Sequence, residues 1–217
     1  ATLMILILTA VARGYKRNTG KAPKGIQAFI EPIIVFVRDE VVKPNIGPRY
    51  EKFLPYLLTL FFFILFGNLL GLLPGAANLT GNIAVTLVLA VGTFIITNVN
   101  GNKAYWAHIF NPPVPWWLKF PIPLLPLVEV IGVLTKPISL MVRLFVAITA
   151  GHIVLLSLIC LVFIFGSAYV GIGSTLIVLF INLIELLVAG IQAYVFTLFS
   201  SLYIGMAIAE HAHDDHH

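Results

Sequence analysis

Two apolar runs, residues 126–165 and 174–209, are each far longer than the ~20 residues that carry a helix across a ~30 Å hydrocarbon core. As helices they would measure ~60 and ~54 Å at 1.5 Å per residue. In lipid every backbone polar group must find its partner inside the segment, which leaves the helix as the available form for runs of this kind. Helices of that length cross a bilayer only when steeply inclined. The rest of the chain agrees, since 10% charged residues and a mean hydropathy of +1.01 lie far from a soluble domain, in which about a quarter of residues are charged. The expectation is an all-α polytopic membrane protein, one membrane domain over residues 1–217, in which two long, strongly tilted antiparallel helices accompany shorter transmembrane helices and an interfacial helix.

The charges report topology. Nine of the thirteen Lys and Arg fall between Arg13 and Lys52, so the formal net charge of +4 reads as a cytoplasmic bias and not as a nucleic-acid surface. The loop 99–125 carries Lys103 and Lys119, whereas the turns 75–81 and 166–173 are uncharged. The basic loops are therefore assigned to the cytoplasm and the uncharged turns to the outer side. Cys160 is the single cysteine, which excludes an intrachain disulfide framework and a CxxC site. No cofactor or metal is expected, and the tail EHAHDDHH reads as a solvated end with incidental metal affinity. The chain lacks GxxxxGK[ST], HExxH and GxSxG motifs, so a soluble-type enzyme is not indicated.

Taken in order, residues 1–12 read as the second half of a membrane helix. Residues 25–43 carry Ile26, Phe29, Ile30, Ile33, Ile34, Val37 and Val41 at helical spacing against Gln27, Glu31, Arg38 and Asp39, the pattern of a helix lying in the interface, ended by Pro44 and Gly47. Residues 53–74 and 82–98 are transmembrane candidates, with Asn68 set between Gly67 and Gly71 as an interhelix hydrogen-bonding residue. Residues 104–125, rich in Pro and with Trp106, Trp116 and Trp117, read as an interfacial or re-entrant segment.

Arg143 stands inside the first long apolar run with no acid within a helical turn. A charge that cannot be shed costs at least ~3 kcal/mol at mid-bilayer, so it needs a partner, a wet cavity or a function. In an antiparallel pair, residues at equal depth share a constant index sum. Arg143 with Gln192 gives 335 and His152 with Glu185 gives 337, one register, with the turn near residue 168. Glu129 lies fourteen residues before Arg143, nearly four turns and close to the same face, ~21 Å toward the basic side, with Lys136 between. An acid on one side of a fixed cation and a His–Glu pair on the other describe two half-paths for a proton, interrupted at Arg143.

The blocks PLVEVIGVLTKPISLMVRLFVAITAGH and IELLVAGIQAYVFTLFSSLYIGMA, with FGNLLGLLPG upstream, resemble the membrane-embedded a subunit of rotary ATP synthases. The resemblance implies that Arg143 is the stator arginine facing the carboxylates of a ring of c subunits, and that Gln192 is its neighbour on the last helix. It further implies that His152 and Glu185 belong to an outer half-channel and Glu129 to an inner one; Asn68, Asn182 and Lys136 are further candidates for channel lining. Peripheral-stalk b subunits, the lipid bilayer and protons are the other implied partners. The family commonly has asparagine four residues after the arginine; here that position is Ala147, which thins the polar lining on that turn. The phrase FVRDEVVKPNIG is closer to bacterial members, implying a bacterial inner membrane, with the mitochondrial inner membrane as the alternative. Protons are preferred over Na⁺ as the coupling ion, because a His–Glu pair relays protons and no oxygen-ligand cluster is apparent. The competing reading is a self-contained proton- or sodium-coupled transporter or channel, which would require a carrier carboxylate beside Arg143 and commonly shows a repeated half; neither is present in the sequence.

Overall fold

The computed structural model describes residues 26–72, 81–102, 105, 106, 109, 124–165 and 168–208. The expected partial helix 1–12, the basic loop 13–24, the Pro74–Gly75 turn, most of the Trp-rich segment and the His-rich tail lie outside them. The described elements are helical throughout: α1 (Ile26–Phe36), a π-turn (Val37–Val42), α2 (Lys43–Ile46), a 3₁₀ turn (Gly47–Arg49), α3 (Tyr50–Gly71), α4 (Ile83–Val99), α5 (Leu124–Phe165) and α6 (Ala168–Ile208). Three stretches, Ile30–Gly71, Val130–Phe165 and Gly171–Ile208, are long and apolar enough to cross a membrane, and Ile83–Val99 is a shorter apolar helix.

The entry to α3 is built around Pro44. Its nitrogen has no hydrogen to give the carbonyl of Glu40, and its ring presses on that carbonyl. The chain widens into the π-turn Val37–Val42 one turn earlier, a usual response to a broken i→i−4 ladder. The helix therefore continues past Pro44, which was expected to end it, and the chain turns at Gly47, whose φ of 72° favours glycine. The carbonyl of Val41 accepts from Asn45 Nδ2 at 2.7 Å and Ser201 Oγ at 3.2 Å, and Asn45 Nδ2 also meets Ser201 Oγ at 3.0 Å. This seats the π-turn on the end of α6. Val37, Val41 and Val42 are fully buried there.

The seat leaves no room on α6 for a side chain at 205. A Cβ on Gly205 would collide with the carbonyl oxygen of Asn45, a backbone atom that cannot swing aside. Gly205→Ala is expected to destabilise the junction by at least ~1–3 kcal/mol, the usual cost of overpacking, and so to lower the yield of intact membrane complex several-fold. Blue-native gels of membranes carrying the variant check this; wild-type yield and thermal stability would contradict it.

α6 packs against α3 and α5, and α4 fills in against α5 and α6. α4 comes close because its inward face is small: Thr86, Ala90, Thr93 and Thr97 recur at helical spacing and are all buried, the kind of stripe that lets membrane helices approach. Its threonines satisfy themselves partly on their own helix, as Thr97 does on Thr93 O at 2.8 Å, while Thr93 Oγ1 also meets Tyr56 OH at 3.0 Å. One end of the bundle is tied by Lys52 Nζ donating to Asn100 Oδ1 at 2.9 Å, and by Asn102, whose backbone and side-chain nitrogens donate to the terminal carbonyls of Ala207 and Ile208, each at 2.9 Å. The last carbonyls of α6 would otherwise be orphaned.

α6 begins at Ala168, so Gly171 and Gly173, expected in an outer turn ending near residue 173, lie inside the helix. The intrinsic cost of glycine in a helix is about 1 kcal/mol, less than that of unsatisfied backbone in an apolar medium, so the helix runs through both glycines. α5 and α6 are the least covered elements, with only 6% and 17% of their most apolar windows buried, against 44% for the first stretch. Their outer faces, including Ile131, Ile138, Val146, Leu176, Phe180 and Leu187, require lipid or another apolar protein surface.

Candidate functional site

The polar residues of the α5–α6 hairpin fall into two groups separated along the helices. The first is His152 with Glu185. Nδ1 of His152 is 3.0 Å from Glu185 Oε1, a cross-helix contact at the depth given by the index sum of 337. The contact is an ion-pair approach and not an aligned hydrogen bond, since neither carboxylate oxygen of Glu185 has a hydrogen-bond partner among the described residues. Both ring nitrogens also lie against backbone carbonyls, Nδ1 at 3.2 Å from Ile148 O and Nε2 at 3.2 Å from Gly71 O at the end of α3. The ring nitrogens thus face three oxygen acceptors, Glu185 Oε1, Ile148 O and Gly71 O. Glu185 is 9% exposed and sits where Gly151 lacks a side chain; a Cβ there would lie 2.7 Å from Oε1. His152 opens on its other side to a cleft of about 500 Å³, lined also by Asn82, Ile83, Phe145, Thr149 and Leu156.

From Glu185 a line of buried polar atoms continues along the inward face of α6. Asn68 of α3 donates from Nδ2 to Ala189 O at 3.2 Å, four residues beyond Glu185, and Gln192 follows three residues later, ~10 Å from Glu185 along the helix. Asn68 and Gln192 are 2% and 6% exposed, yet Asn68 Oδ1 and Gln192 Nε2 have no partner among the described residues. Buried orphans at this density are unusual in a merely structural core, and atoms of this kind are met by ordered water.

Arg143 belongs to the second group. It is half-buried on α5, between the buried Leu140 and Leu144, and makes no hydrogen bond or ion pair among the described residues. Its guanidinium carbon lies 4.4 Å above the centroid of the Phe199 ring. Lys136 repeats the arrangement two turns earlier, with Nζ 5.3 Å over the Tyr203 ring, and Phe199 and Tyr203 are themselves 6.0 Å apart. Lys136, Tyr203, Thr93, Thr97, Asn98 and Tyr105 also line a pocket of about 10 Å³, close to the room a single water needs.

The expected neighbour of Arg143, Gln192, shares no hydrogen bond with it, and the reason is directional. Side chains lean toward the N-terminus of their own helix. In an antiparallel pair Arg143 and Gln192 therefore lean apart, Arg143 toward Phe199 and Gln192 toward Glu185. The aromatic pair of α6 and the carbonyl of Gly71 went unrecognised in the sequence; index sums of 342 for Arg143–Phe199 and 339 for Lys136–Tyr203 would have found the pair had the lean been added. Glu129 lies in the first turns of α5, its side chain outside the described residues. Asn182 is exposed on α6, and Ala147 is half-buried one turn beyond Arg143.

Comparison with known proteins bears on this arrangement directly. The profile of the family described as ATP synthase A chain matches residues 1–205. The chain is 45% identical over 223 residues to the ATP synthase subunit a of Chloroherpeton thalassium, covering 99% of this chain and 65% of that protein. It is 46% identical over 226 residues to ATP synthase subunit a 2 of Chlorobaculum tepidum, covering 100% of this chain and 62% of that protein. With the ATP synthase subunit a of Myxococcus xanthus it shares 44% identity over 224 residues, 98% of this chain and 72% of that one. The chain thus spans roughly two thirds of the length of these relatives, and its matched region contains the arginine, the His–Glu pair and both long helices. The chain belongs to the ATP synthase A chain family.

Proposed function

We propose that the protein is the stator component of a bacterial ATP synthase that guides protons to and from a rotating ring of c subunits in the inner membrane, with peripheral-stalk b subunits beside it. The observation that carries the reading is the division of the hairpin: a permanent cation with no carboxylate partner among the described residues on one side, and on the other the buried Glu185 against a half-buried His152 that opens to a cleft. In this reading protons enter from the outer face through the cleft, pass to His152 and Glu185, and follow Asn68 and Gln192 toward the rotor. Glu129, Lys136 and the small polar pocket belong to the cytoplasmic exit. The exposed apolar faces of α5 and α6 supply the surface on which the ring turns.

The chemistry follows from charge. A protonated carboxyl in an apolar ring is neutral and free to rotate through lipid. When it reaches Arg143 the guanidinium favours the ionised carboxylate, so the proton is released to the inner path. Arg143 itself cannot give up its proton and repels any that approaches, so direct passage between the half-paths is blocked. The carrier carboxylate belongs to the ring, which agrees with the lack of one beside Arg143 among the described residues.

The competing reading, an ion transporter complete in this chain, is separated by reconstitution. The chain alone in vesicles is expected to show no proton or sodium flux above lipid background. The assembled synthase is expected to acidify vesicles on ATP addition at a rate independent of added Na⁺. Flux through the chain alone at a rate comparable to the complex would overturn the stator reading.

A further inference from the structure

The bond Arg143 makes is of a kind that fixes a guanidinium without consuming it. Stacking engages the face of the group, whereas its five N–H donors lie in its plane and point outward from its edge. An arginine paired with a carboxylate of its own chain would be neutralised, and one bonded to Gln192 would have donors occupied. Arg143 has neither partner among the described residues; it rests 4.4 Å above Phe199, inside the ~6 Å range of a cation–π contact. Phe199 is itself held by Tyr203, four residues on, at 6.0 Å between centroids, and Tyr203 lies beneath Lys136. Two cations spaced two turns apart on α5 thus rest on two aromatic rings spaced one turn apart on α6.

Resting on the stator reading above, we infer that Phe199 is a positioning residue for Arg143: its ring holds the guanidinium at one depth, edge outward, so that each arriving rotor carboxylate meets the same donors in the same place. Tyr203 supports the ring. Leucine in place of Phe199 would keep the apolar bulk but remove the π face. The guanidinium would then sample several rotamers, among them ones that leave the gap between the half-paths less well guarded.

The test uses the assembled complex with isotopically labelled arginine and three variants, Phe199→Leu, Phe199→Tyr and Phe199→Trp. Solid-state NMR reads the side-chain signals of Arg143, assigned by their loss in Arg143→Ala. A stacked guanidinium carries an upfield ring-current displacement, which is expected in the wild type, absent in Phe199→Leu and present again with Tyr or Trp. ATP-driven pumping in Phe199→Leu is expected to fall about two- to thirtyfold, the range of one such contact, with a raised passive leak and unchanged complex yield. Recovery with Tyr or Trp is the outcome that a simple packing role would not produce, and if Phe199→Leu assembles poorly, that recovery alone decides. A wild-type complex with no ring-current displacement, wild-type pumping in Phe199→Leu, or Tyr and Trp variants no better than Leu would each overturn the inference. An absent displacement with an inactive Arg143→Ala complex removes the stacking and leaves the stator reading intact. A displacement present in a wild type whose Arg143→Ala variant pumps normally does the reverse.

Discussion

Arg143→Ala is expected to abolish ATP-driven proton pumping by the assembled complex while leaving its passive proton leak raised or unchanged. An adjacent arginine favours an ionised carboxylate by about ten- to thousandfold, and without it the incoming rotor carboxyl, loaded from the inner path, has no reason to release its proton to the outer one. The same substitution opens the barrier between the half-paths, since a methyl group neither repels a proton nor fills the space. Stability should change little, because Arg143 is half-buried and its loss strands no ion-pair partner among the described residues. Dye quenching in inverted vesicles reads the pumping, and vesicles stripped of the catalytic head read the leak. Arg143→Lys is a useful companion, since a compact ammonium keeps the charge but loses the planar fork and its stacking geometry; it is expected to recover little. Normal coupled pumping in Arg143→Ala would remove the assignment on which the functional reading turns.

The parts of the molecule visible in the sequence were those governed by long-range apolarity. The runs 126–165 and 174–209 reappear as α5 and α6, because nothing but a helix satisfies so much backbone in an apolar medium. The depth of His152 against Glu185 was also legible, since an index sum depends only on helical rise and antiparallel direction. What escaped depended on side-chain direction and on local backbone chemistry. The partner of Arg143 is displaced by two turns of α6, from Gln192 to Phe199, because a long side chain adds its own reach and lean to the position of its Cα. The π-turn at Val37–Val42 needed Pro44 to be read for its effect on the preceding carbonyl and not only as a stop. The backbone oxygen of Gly71 carries no side-chain signal at all, and it faces His152 only because α3 ends there.

The exchange of His152 and Glu185 tests whether these two residues act as one site. Their contact is 3.0 Å across the hairpin, and the carboxylate oxygens have no other partner among the described residues, so each residue is the other's principal electrostatic neighbour. Glu185 is buried but His152 is half-exposed, so removing one partner leaves an uncompensated group at a cost below the ~3–5 kcal/mol of a fully buried pair. His152→Glu alone places two carboxylates together, and Glu185→His alone two imidazoles; in both, like groups repel and share their protons differently. Each single variant is expected to lose pumping by about tenfold or more, in line with the contribution of a positioned proton-transfer group. The double variant His152→Glu with Glu185→His restores one acid and one imidazole at the same depth and should retain several-fold more pumping than either single. It should not reach wild type, because the pocket is shaped for each residue in place: Gly71 O and Ile148 O offer acceptors to a ring at 152, which a carboxylate there cannot use, and the room left by Gly151 is matched to the carboxyl at 185. The measurement is pumping rate together with complex yield for both singles and the double. If the pair served only to hold the hairpin, activity would follow yield in all three variants; a double no better than the singles at equal yield would show that the two residues do not form one proton-handling site.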